Sequence, residues 1–325
     1  MSINWFPGHM HKATQEIKQS LPQVDIIIEV LDARIPYSSE NPVIRKLCEY
    51  HASDQAKGGA TASIKLLNKA DLADPEQTKA WINYFEQRDN VRAIAISQKN
   101  PERIIELIDL CKQLAPEKLE KSGSIDALIM GIPNVGKSTI INTLAGKQIA
   151  KTGNEPAITK GQQKINLRNG VMLWDTPGIL WAKFDNQQSA YRLASTGAIK
   201  DTAISNDDIA FFAADHLIKH HNDLLVERYK LEKPPETEVE FLDEVGIKRG
   251  ALGKGGRVNL EKISKQFLTE LRDGTIGRIT LETPQMAMTE QADVDRINEN
   301  REREKAEKKA ARKAKFQKKA NKKKR

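Results

Sequence analysis

The order of a few short motifs along the chain is the feature that most restricts how it can fold. The motif NKAD occupies residues 68–71, and only afterwards come GIPNVGKS at 131–138 and DTPG at 175–178. Each motif follows a short apolar run, which is typical of a strand buried on both faces. Polar motifs at the carboxyl ends of such strands predict one ligand site along one edge of a parallel sheet. The base-reading type of motif therefore precedes the phosphate-binding type, a rotated order.

The surrounding pattern alternates between apolar runs and helical periodicity. This alternation predicts an α/β fold with a mostly parallel sheet and helices on both faces. Residues 114–124 read as a linker between the two halves of the rotated domain. Strands are predicted at 24–31, 64–67, 91–97 and 125–130, a hairpin at 163–168 and 170–174, and helices at 40–50, 75–88, 101–114 and 137–145.

The strand pattern stops after about residue 188. Residues 1–188 are thus predicted to form the nucleotide-binding domain. A small all-helical domain is expected over 189–285, where helical periodicity recurs at 207–221, 238–246 and 258–272. Residues 286–325 form a Glu/Lys/Arg/Ala tract, expected to be either a solvent-exposed helix or disordered.

The charge of the chain is concentrated in its tail. The net charge is +8, but residues 301–325 alone carry fourteen Lys or Arg against three Glu, so the rest of the chain is slightly acidic. Such a tail suits a polyanion such as RNA, with a solvated solubility tail as the alternative. Two cysteines, no secretory signal and no long apolar run favour a cytoplasmic protein without a membrane partner.

GIPNVGKS follows a predicted strand and opens a predicted helix, as a phosphate-binding loop does. Gly131 and Gly136 allow backbone N–H groups to face phosphates at the start of a helix. Lys137 supplies a positive charge for the β- and γ-phosphates and Ser138 a hydroxyl for Mg²⁺. The nucleotide contacts predicted in this loop are Asn134, Val135, Gly136, Lys137, Ser138 and Thr139.

DTPG supplies the remaining phosphate and Mg²⁺ contacts. Asp175 is predicted to hold Mg²⁺, through water, and Gly178 to offer its N–H to the γ-phosphate. Thr159 lies between the two phosphate motifs in a Gly- and Thr-rich stretch, where a mobile loop brings a hydroxyl to the metal. Thr152 is the competing residue. The predicted metal ligands are therefore Ser138, Thr159 and Asp175.

NKAD predicts that the bound nucleotide is GTP or GDP. The Asp71 carboxylate can accept from both N–H donors of guanine, a pair that adenine lacks. Asn68 can join the base loop to the phosphate loop, and the stem of Lys69 can lie along the base. A backbone N–H of Ser97, at the end of the next strand, can reach the guanine carbonyl.

Hydrolysis needs a group that orients the attacking water, and the expected position lacks one. Many GTPases place Gln directly after DxxG; here the residue is Ile179. The side-chain oxygen of Asn134 could instead hold a monovalent cation beside the phosphates. His9 could orient the water, although from residue type alone a surface or capping histidine is the stronger reading. Lys137, Asn134 and His9 are the candidate catalytic residues.

Taken together, NWFPGHMHKA at the amino terminus, DARIPYSSENP at 32–42, NKADL, GIPNVGKST and WDTPGIL resemble the circularly permuted ribosome biogenesis GTPase A family. The resemblance extends to about residue 280. It implies a permuted P-loop GTPase domain, a helical domain that contacts rRNA, and action on the precursor of the bacterial large subunit. The family has a hydrophobic residue in place of the catalytic Gln, a catalytic histidine in the FPGH segment, and a phosphate-loop Asn linked to K⁺.

We therefore expect a GTPase that binds Mg²⁺ and K⁺, is stimulated by the ribosome and is monomeric off it. Its rate alone should be slow, because Ile179 replaces the water-orienting Gln. One alternative is an RNA-binding assembly scaffold that uses GTP as a structural ligand. Another is a GTPase that acts on a different ribosomal particle. The Lys-rich tail extends past the usual end of the family, and Lys160 and Gly161 after Thr159 depart from the expected Thr or Ser.

Overall fold

A computed structural model describes residues 15–46, 61–150, 163–180, 186–199 and 204–323. The chain divides into two compact units, Met1–Thr283 and Pro284–Arg325. The first unit holds all the described strands and most of the helices, and the second is built on one long helix.

The described strands form a single sheet. All neighbouring strands pair in parallel except the last two, which form an antiparallel hairpin. The mostly parallel α/β sheet expected from the sequence is therefore confirmed. The order is β3–β2–β1–β4–β6–β5, where the strands are β1 (Ile26–Asp32), β2 (Ala62–Asn68), β3 (Val91–Ala95), β4 (Ile125–Gly131), β5 (Gln163–Asn166) and β6 (Val171–Asp175).

The central strands are covered on both faces. Every residue of β1 is buried, including alternate ones that point to opposite sides of the sheet. A strand whose two faces are both buried must lie between two layers, which explains its nearly continuous run of Ile, Val and Leu. Two charged residues, Glu29 and Asp32, are buried in this strand and are paired.

The register of the sheet brings the motifs to one edge. Asp32 is aligned with Asn68, and Ile129 is aligned with Asp175. From β1 the chain moves outward to β2 and β3 on one side, whereas β4 is followed by β6 and β5 on the other. The direction of winding therefore reverses between β1 and β4, and in open α/β sheets this switch point is where ligands bind.

The helices begin and end at recognisable signals. The second helix starts after Asp74, whose carboxylate accepts from the N–H groups of Glu76 and Gln77. The helices are α1 (Pro36–Ser39), α2 (Pro75–Glu86), α3 (Pro101–Leu114), α4 (Pro116–Ser122), α5 (Lys137–Ala145), α6 (Gln187–Ser195), α7 (Asn206–His220), α8 (Asn222–Tyr229), α9 (Glu238–Lys248), α10 (Leu260–Asp273) and α11 (Pro284–Lys323), with further helical residues at 15–20 and 42–46.

The segment predicted as a linker, 114–124, contains a short helix that the sequence did not predict. Helix α4 occupies Pro116–Ser122 and ends at Gly123, which has the left-handed conformation typical of a helix end. Pro116 lies in the first helical turn, where a missing N–H costs little. The sequence predicts no helix at these residues because the helix buries none of them completely and so shows no apolar stripe.

Helices α6 to α10 bury apolar side chains that belong to the same core cluster as those of the sheet. Leu217 and Phe241 are fully buried, and the ring of Phe241 lies edge-on to that of Phe267 at 5.3 Å. These helices belong to the same compact unit as the sheet. Within the described part of the chain, no helix is long and apolar enough to cross a membrane.

Helix α11 is a compact unit of its own. It runs for 40 residues from Pro284. Of the two alternatives left open by the sequence, the tract is therefore helical. Its residues from 290 to 309 are exposed or half-buried, in keeping with their Glu, Lys and Arg content.

Candidate nucleotide-binding site

The loop after β4 has the geometry of a phosphate-binding loop. It joins the strand directly to α5, whose first residue is Lys137. Asn134 and Gly136 both have positive φ values, 59° and 95°. Gly131 is packed so tightly that a β-carbon there would lie 2.8 Å from the carbonyl oxygen of Val30. The loop therefore needs glycine at 131 and 136. The nine-residue helix that follows has its amino-terminal end at the carboxyl edge of the sheet.

Lys137, the first residue of α5, lies beside Asp175, the last residue of β6. Nζ of Lys137 contacts Oδ1 of Asp175, and both side chains are buried. Burial raises the pKa of Asp175 and lowers the pKa of Lys137, and their mutual attraction offsets this only in part. The pair places one cation and one anion where a charged ligand with its own counter-ion can replace the direct contact.

The DTPG loop lies against the phosphate loop. The Ile179 N–H donates to the Gly131 carbonyl at 3.0 Å, and the Thr176 hydroxyl donates to the carbonyl of Ile129 at 3.0 Å. A β-carbon at Gly178 would lie 3.3 Å from Pro133. Ile179 is buried, with 5% of its surface exposed. Its side chain thus belongs to the core and offers no polar atom to a ligand.

NKAD lies beside the phosphate loop, as the sheet register requires. Nδ2 of Asn68 donates to the Val135 carbonyl at 2.7 Å. Lys69 has a φ of 61° and its ammonium lies 3.1 Å from Oδ2 of Asp32. Burial acts to raise the pKa of Asp32, but the charges of Arg34 and Lys69 outweigh it and hold that pKa well below its usual range. Lys69 is therefore fixed at its ammonium end.

Two side chains orient the Asp71 carboxylate. The Ser97 hydroxyl donates to Oδ1 at 2.7 Å, and Nζ of Lys99 lies 2.9 Å from Oδ2. Burial acts to raise the pKa of Asp71, but these two partners lower it overall, so the group is an anion at neutral pH. From the sequence, Ser97 was predicted to contact guanine only through its backbone N–H, and no role was predicted for Lys99. The spacing of two residues after Ser97 was the available signal.

The comparisons with known proteins agree with this geometry. A family model described as 50S ribosome-binding GTPase matches residues 126–242. Ribosome biogenesis GTPase A of Bacillus cereus is 43% identical over 306 residues, which cover 92% of this chain and 100% of that protein. The chain belongs to the ribosome biogenesis GTPase A family. A further member, from Thermotoga maritima, is 33% identical over 283 residues and covers 87% of this chain and 95% of its own.

Solved structures support the same assignment. The GDP-bound structure of TM YlqF has a TM-score of 0.56 with 30% identity and covers 83% of this chain and 99% of its own. The GNP-bound YlqF from T. maritima also has a TM-score of 0.56 with 30% identity, covering 84% and 98%. Membership of the ribosome biogenesis GTPase A family confirms the family resemblance and the P-loop GTPase fold inferred from the sequence.

In this family member, Asn134 makes a contact that the sequence did not indicate. Its Nδ2 donates to the Gly197 carbonyl at 3.0 Å, in the segment that follows α6. The nitrogen end of the amide is therefore fixed by the helical part of the chain. The phosphate loop and the segment after α6 are directly connected.

Arg34, in the DAR motif after β1, is a second connection that sequence reasoning missed. Its guanidinium donates to both carboxylate oxygens of Asp32, at 2.9 and 2.8 Å. It also donates to the carbonyl of Arg272, at the end of α10, at 3.0 Å. Only 3% of the residue is exposed. One arginine thus joins the sheet edge beside Lys69 to the helical part.

The donor set fits Mg²⁺ and a guanine nucleotide. The hydroxyl of Ser138 and the carboxylate of Asp175 are hard oxygen ligands of the kind that Mg²⁺ prefers. In the described part of the chain, Oδ1 of Asn68 is buried without a hydrogen-bond partner, which leaves an acceptor at the site. His9 and Thr159, together with its competitor Thr152, lie outside the described residues.

Proposed function

We propose that this protein hydrolyses GTP on a late precursor of the large ribosomal subunit and that its nucleotide state controls its binding to rRNA. The observation that carries the proposal is the convergence of the phosphate loop, DTPG and NKAD at one sheet edge, joined by the Asn68–Val135 hydrogen bond. The family model's description, 50S ribosome-binding GTPase, supports the choice of particle.

The chain's own residues divide the work on the nucleotide. Asp71, held by Ser97 and Lys99, accepts from the two N–H donors of guanine. The N–H groups at the start of α5 and the Lys137 ammonium bind the β- and γ-phosphates. Gly178 offers its N–H to the γ-phosphate. Ser138, Asp175 and Thr159 hold Mg²⁺, which neutralises phosphate charge.

The intrinsic rate is expected to be slow. Ile179 occupies the position where other GTPases carry a water-orienting Gln, and its side chain is buried. The attacking water must then be oriented by His9, by a K⁺ ion held at Asn134, or by the ribosomal particle. The K⁺ ion and the particle can be supplied or removed in solution, so the rate should respond to both.

Contacts between the two parts of the first compact unit support nucleotide control of rRNA binding. Asn134 of the phosphate loop bonds to Gly197, and Arg34 bonds to the end of α10. A change at the phosphates therefore has two direct routes to the helices. Those helices are the proposed rRNA contact, and the basic tail after residue 300 adds a sequence-independent one. We further propose a cytoplasmic protein that is monomeric off the ribosome.

The decisive measurement is GTP hydrolysis in K⁺ and in Na⁺ buffers, with and without purified large subunits. We expect stimulation by large subunits, and a larger rate in K⁺. Lys137→Ala should lower the stimulated rate by about 100-fold or more. Lys147→Ala, which removes an exposed lysine shortly after the end of the same helix, is the matched control.

The outcome separates the alternatives. GTP binding without turnover under every condition would favour an RNA-binding scaffold that uses GTP as a structural ligand. Stimulation by small subunits instead of large ones would assign the enzyme to another particle. The paired Lys137 and Asp175 favour turnover over the scaffold reading, because a purely structural ligand has no need of a metal-binding carboxylate beside the phosphates.

A further inference from the structure

After α10 the chain turns back toward the sheet. Gly274 ends that helix with a φ of 79°, and a β-carbon there would lie 2.8 Å from a side-chain methyl of Leu72. Residues 274–282, here called the return segment, then run along the carboxyl edge of the sheet. The N–H of Ile279 donates to the Leu72 carbonyl at 3.0 Å, and the N–H of Leu281 donates to the Arg34 carbonyl at 2.8 Å.

The return segment forms hydrogen bonds with the NKAD loop on both sides of Asp71. Nη2 of Arg278 donates to the Ala70 carbonyl at 3.3 Å, and its Nε donates to the Ala73 carbonyl at 3.1 Å. The Thr280 hydroxyl accepts from the N–H of Asp74 at 3.1 Å. The residues immediately before and shortly after the base-reading carboxylate are therefore held by side chains some two hundred positions further along the chain.

These contacts bear on base recognition because the Asp71 carboxylate must meet two N–H donors of guanine at once. A carboxylate that accepts two parallel hydrogen bonds tolerates only small displacements. Ser97 and Lys99 fix the rotation of the carboxylate, but they do not fix the loop that carries its Cα. On the sheet side the N–H of Ala70 donates to the Ile96 carbonyl at 3.1 Å. The return segment supplies the partners of three loop carbonyls, those of Ala70, Leu72 and Ala73.

We propose that the return segment is a positioning element of the guanine site and that Arg278 is a residue that determines selectivity for guanine. The inference rests on the proposed function, since it takes Asp71 to read the base. Arg278 spans two carbonyls with its forked guanidinium, an arrangement that the single ammonium of lysine cannot reproduce. By thermodynamic reciprocity, guanine nucleotide also holds the return segment, and with it the end of α10, in place.

The test compares the affinities of GDP and inosine diphosphate for the full-length protein and its variants. Inosine diphosphate lacks the exocyclic amine of guanine, so the ratio of the two affinities reports the second Asp71 contact alone. We expect Arg278→Ala to lower this ratio about fivefold, in line with the loss of a hydrogen-bonded position. Thr280→Val, which keeps the side-chain shape but removes the acceptor, should lower it in the same direction.

Two controls keep the result specific. Arg228→Ala removes an arginine whose Nε is paired with Glu270, on another helix of the same region, and the ratio should stay at the wild-type value. Arg278→Lys keeps the charge, and it should recover less than half of the lost selectivity. Full recovery by lysine would show a general charge effect and would overturn the proposal.

The remaining outcomes are equally clear. If Arg278→Ala weakens both nucleotides by the same factor, or neither, the return segment does not position the base reader and the inference fails while the proposed function stands. If the wild-type protein binds GDP no better than ADP, the proposed function itself fails, and the inference fails with it. Thermal unfolding of each variant accompanies the titrations, and a ratio is compared only between folded proteins.

Discussion

Asn68 donates from Nδ2 to the Val135 carbonyl at 2.7 Å and so joins two motifs that are 67 residues apart in the chain. Asn68 is fully buried, and Gly136 beside it has no room for a β-carbon because that atom would collide with the same amide. The base-reading loop and the phosphate loop are thus built as one surface. A nucleotide that spans both loops meets a preformed site.

Replacing Asn68 with Ala should weaken GDP and GTP by similar factors, about tenfold, because the relative placement of the two loops is lost. It should also lower the free energy of unfolding by about 1–3 kcal/mol, since the Val135 carbonyl loses its partner. Nucleotide titration and urea unfolding measure the two effects. Asn100→Ala, at an exposed position, should change neither.

Arg34→Ala should be among the most destabilising single substitutions in the protein. It removes both side-chain hydrogen bonds to the Asp32 carboxylate and leaves that buried anion with Lys69 and the backbone N–H of residue 34 as its partners. Breaking a buried pair in this way costs about 3–5 kcal/mol. Urea unfolding at pH 7 measures it. Arg103→Ala, which breaks an exposed pair with Glu106, should stay within about 0.5 kcal/mol of wild type.

The Arg34 prediction has a counterpart that tests its cause. If the cost arises from an unpaired buried carboxylate, Asp32→Asn combined with Arg34→Ala should be less destabilised than Arg34→Ala alone. A double variant as unstable as or less stable than the single one would show that the loss comes from the bonds of Arg34 to the helical part, such as that to the carbonyl of Arg272.

The sheet could be predicted from sequence because its central strands are buried on both faces. β1 is buried at every position, and such a strand reads as an unbroken apolar run ending at a polar motif. The hairpin ahead of Asp175 was predicted as well, although its first strand, β5, is mostly exposed. The fold class followed from these local signals and from the motifs at the strand ends.

The helices were harder to predict from the sequence than the strands, for a physical reason. Helix α4 buries none of its residues completely, so no apolar period marks it. Helix α8 follows α7 after one residue, His221, and the sequence predicted helical periodicity only over 207–221, so α8 was missed. In both cases the helix is fixed by neighbours that are distant in sequence, which a periodicity search cannot register.

The candidate site likewise combines residues that the sequence predicts with residues that only the structure reveals. Motifs with fixed spacing, such as GIPNVGKS, identify residues that act together within one loop. Arg278 and Gly197 contact the motifs through the tertiary fold, and no local pattern marks them. The family comparisons name the activity class, but the contacts between the helical part and the motifs come from the structure alone.

Asn134 provides a test of the potassium hypothesis that also tests its contact with Gly197. Asn134→Ala removes both ends of the amide, and we expect the difference between rates in K⁺ and Na⁺ to disappear. Asn134→Asp keeps an oxygen for a cation but places a carboxylate against the Gly197 carbonyl, which repels it. We expect this variant to lose most of the K⁺ stimulation as well, because the amide is no longer held in position.

A result in which Asn134→Asp keeps full K⁺ stimulation would show that the cation site needs only an oxygen and that the Gly197 contact is dispensable. Rates in Rb⁺ and Cs⁺ extend the measurement, since a site shaped for K⁺ discriminates by ionic size. Asn142→Ala is an unsuitable control because its side chain holds the backbone at Ile149 and Ala150. The exposed Asn100→Ala serves instead.

His216 should make the protein less stable in mild acid. Burial, followed by the neighbouring charges of His220 and His221, lowers the pKa of His216 from 6.5 to about 3. Below pH 6.5 the unfolded chain therefore binds more protons than the folded one. The stability that the neutral His216 side chain gives the folded protein is fully present above pH 6.5 and is lost progressively toward pH 3. From pH 7.5 to pH 5.5 the loss should be about 1 kcal/mol.

The check is urea unfolding of wild type, His216→Gln and His220→Gln at both pH values. His216→Gln should lose about 1 kcal/mol less than wild type between them, because its side chain does not titrate. His220→Gln removes one of the neighbouring charges that lower the pKa of His216 but leaves its burial, which is the larger cause, so this variant should keep most of the wild-type loss. If the free energy of unfolding changed equally with pH in His216→Gln and wild type, His216 would take up a proton as readily in the folded protein as in the unfolded chain. The ring contact with His220, at 4.6 Å between centroids, would then be stable with charge on His216.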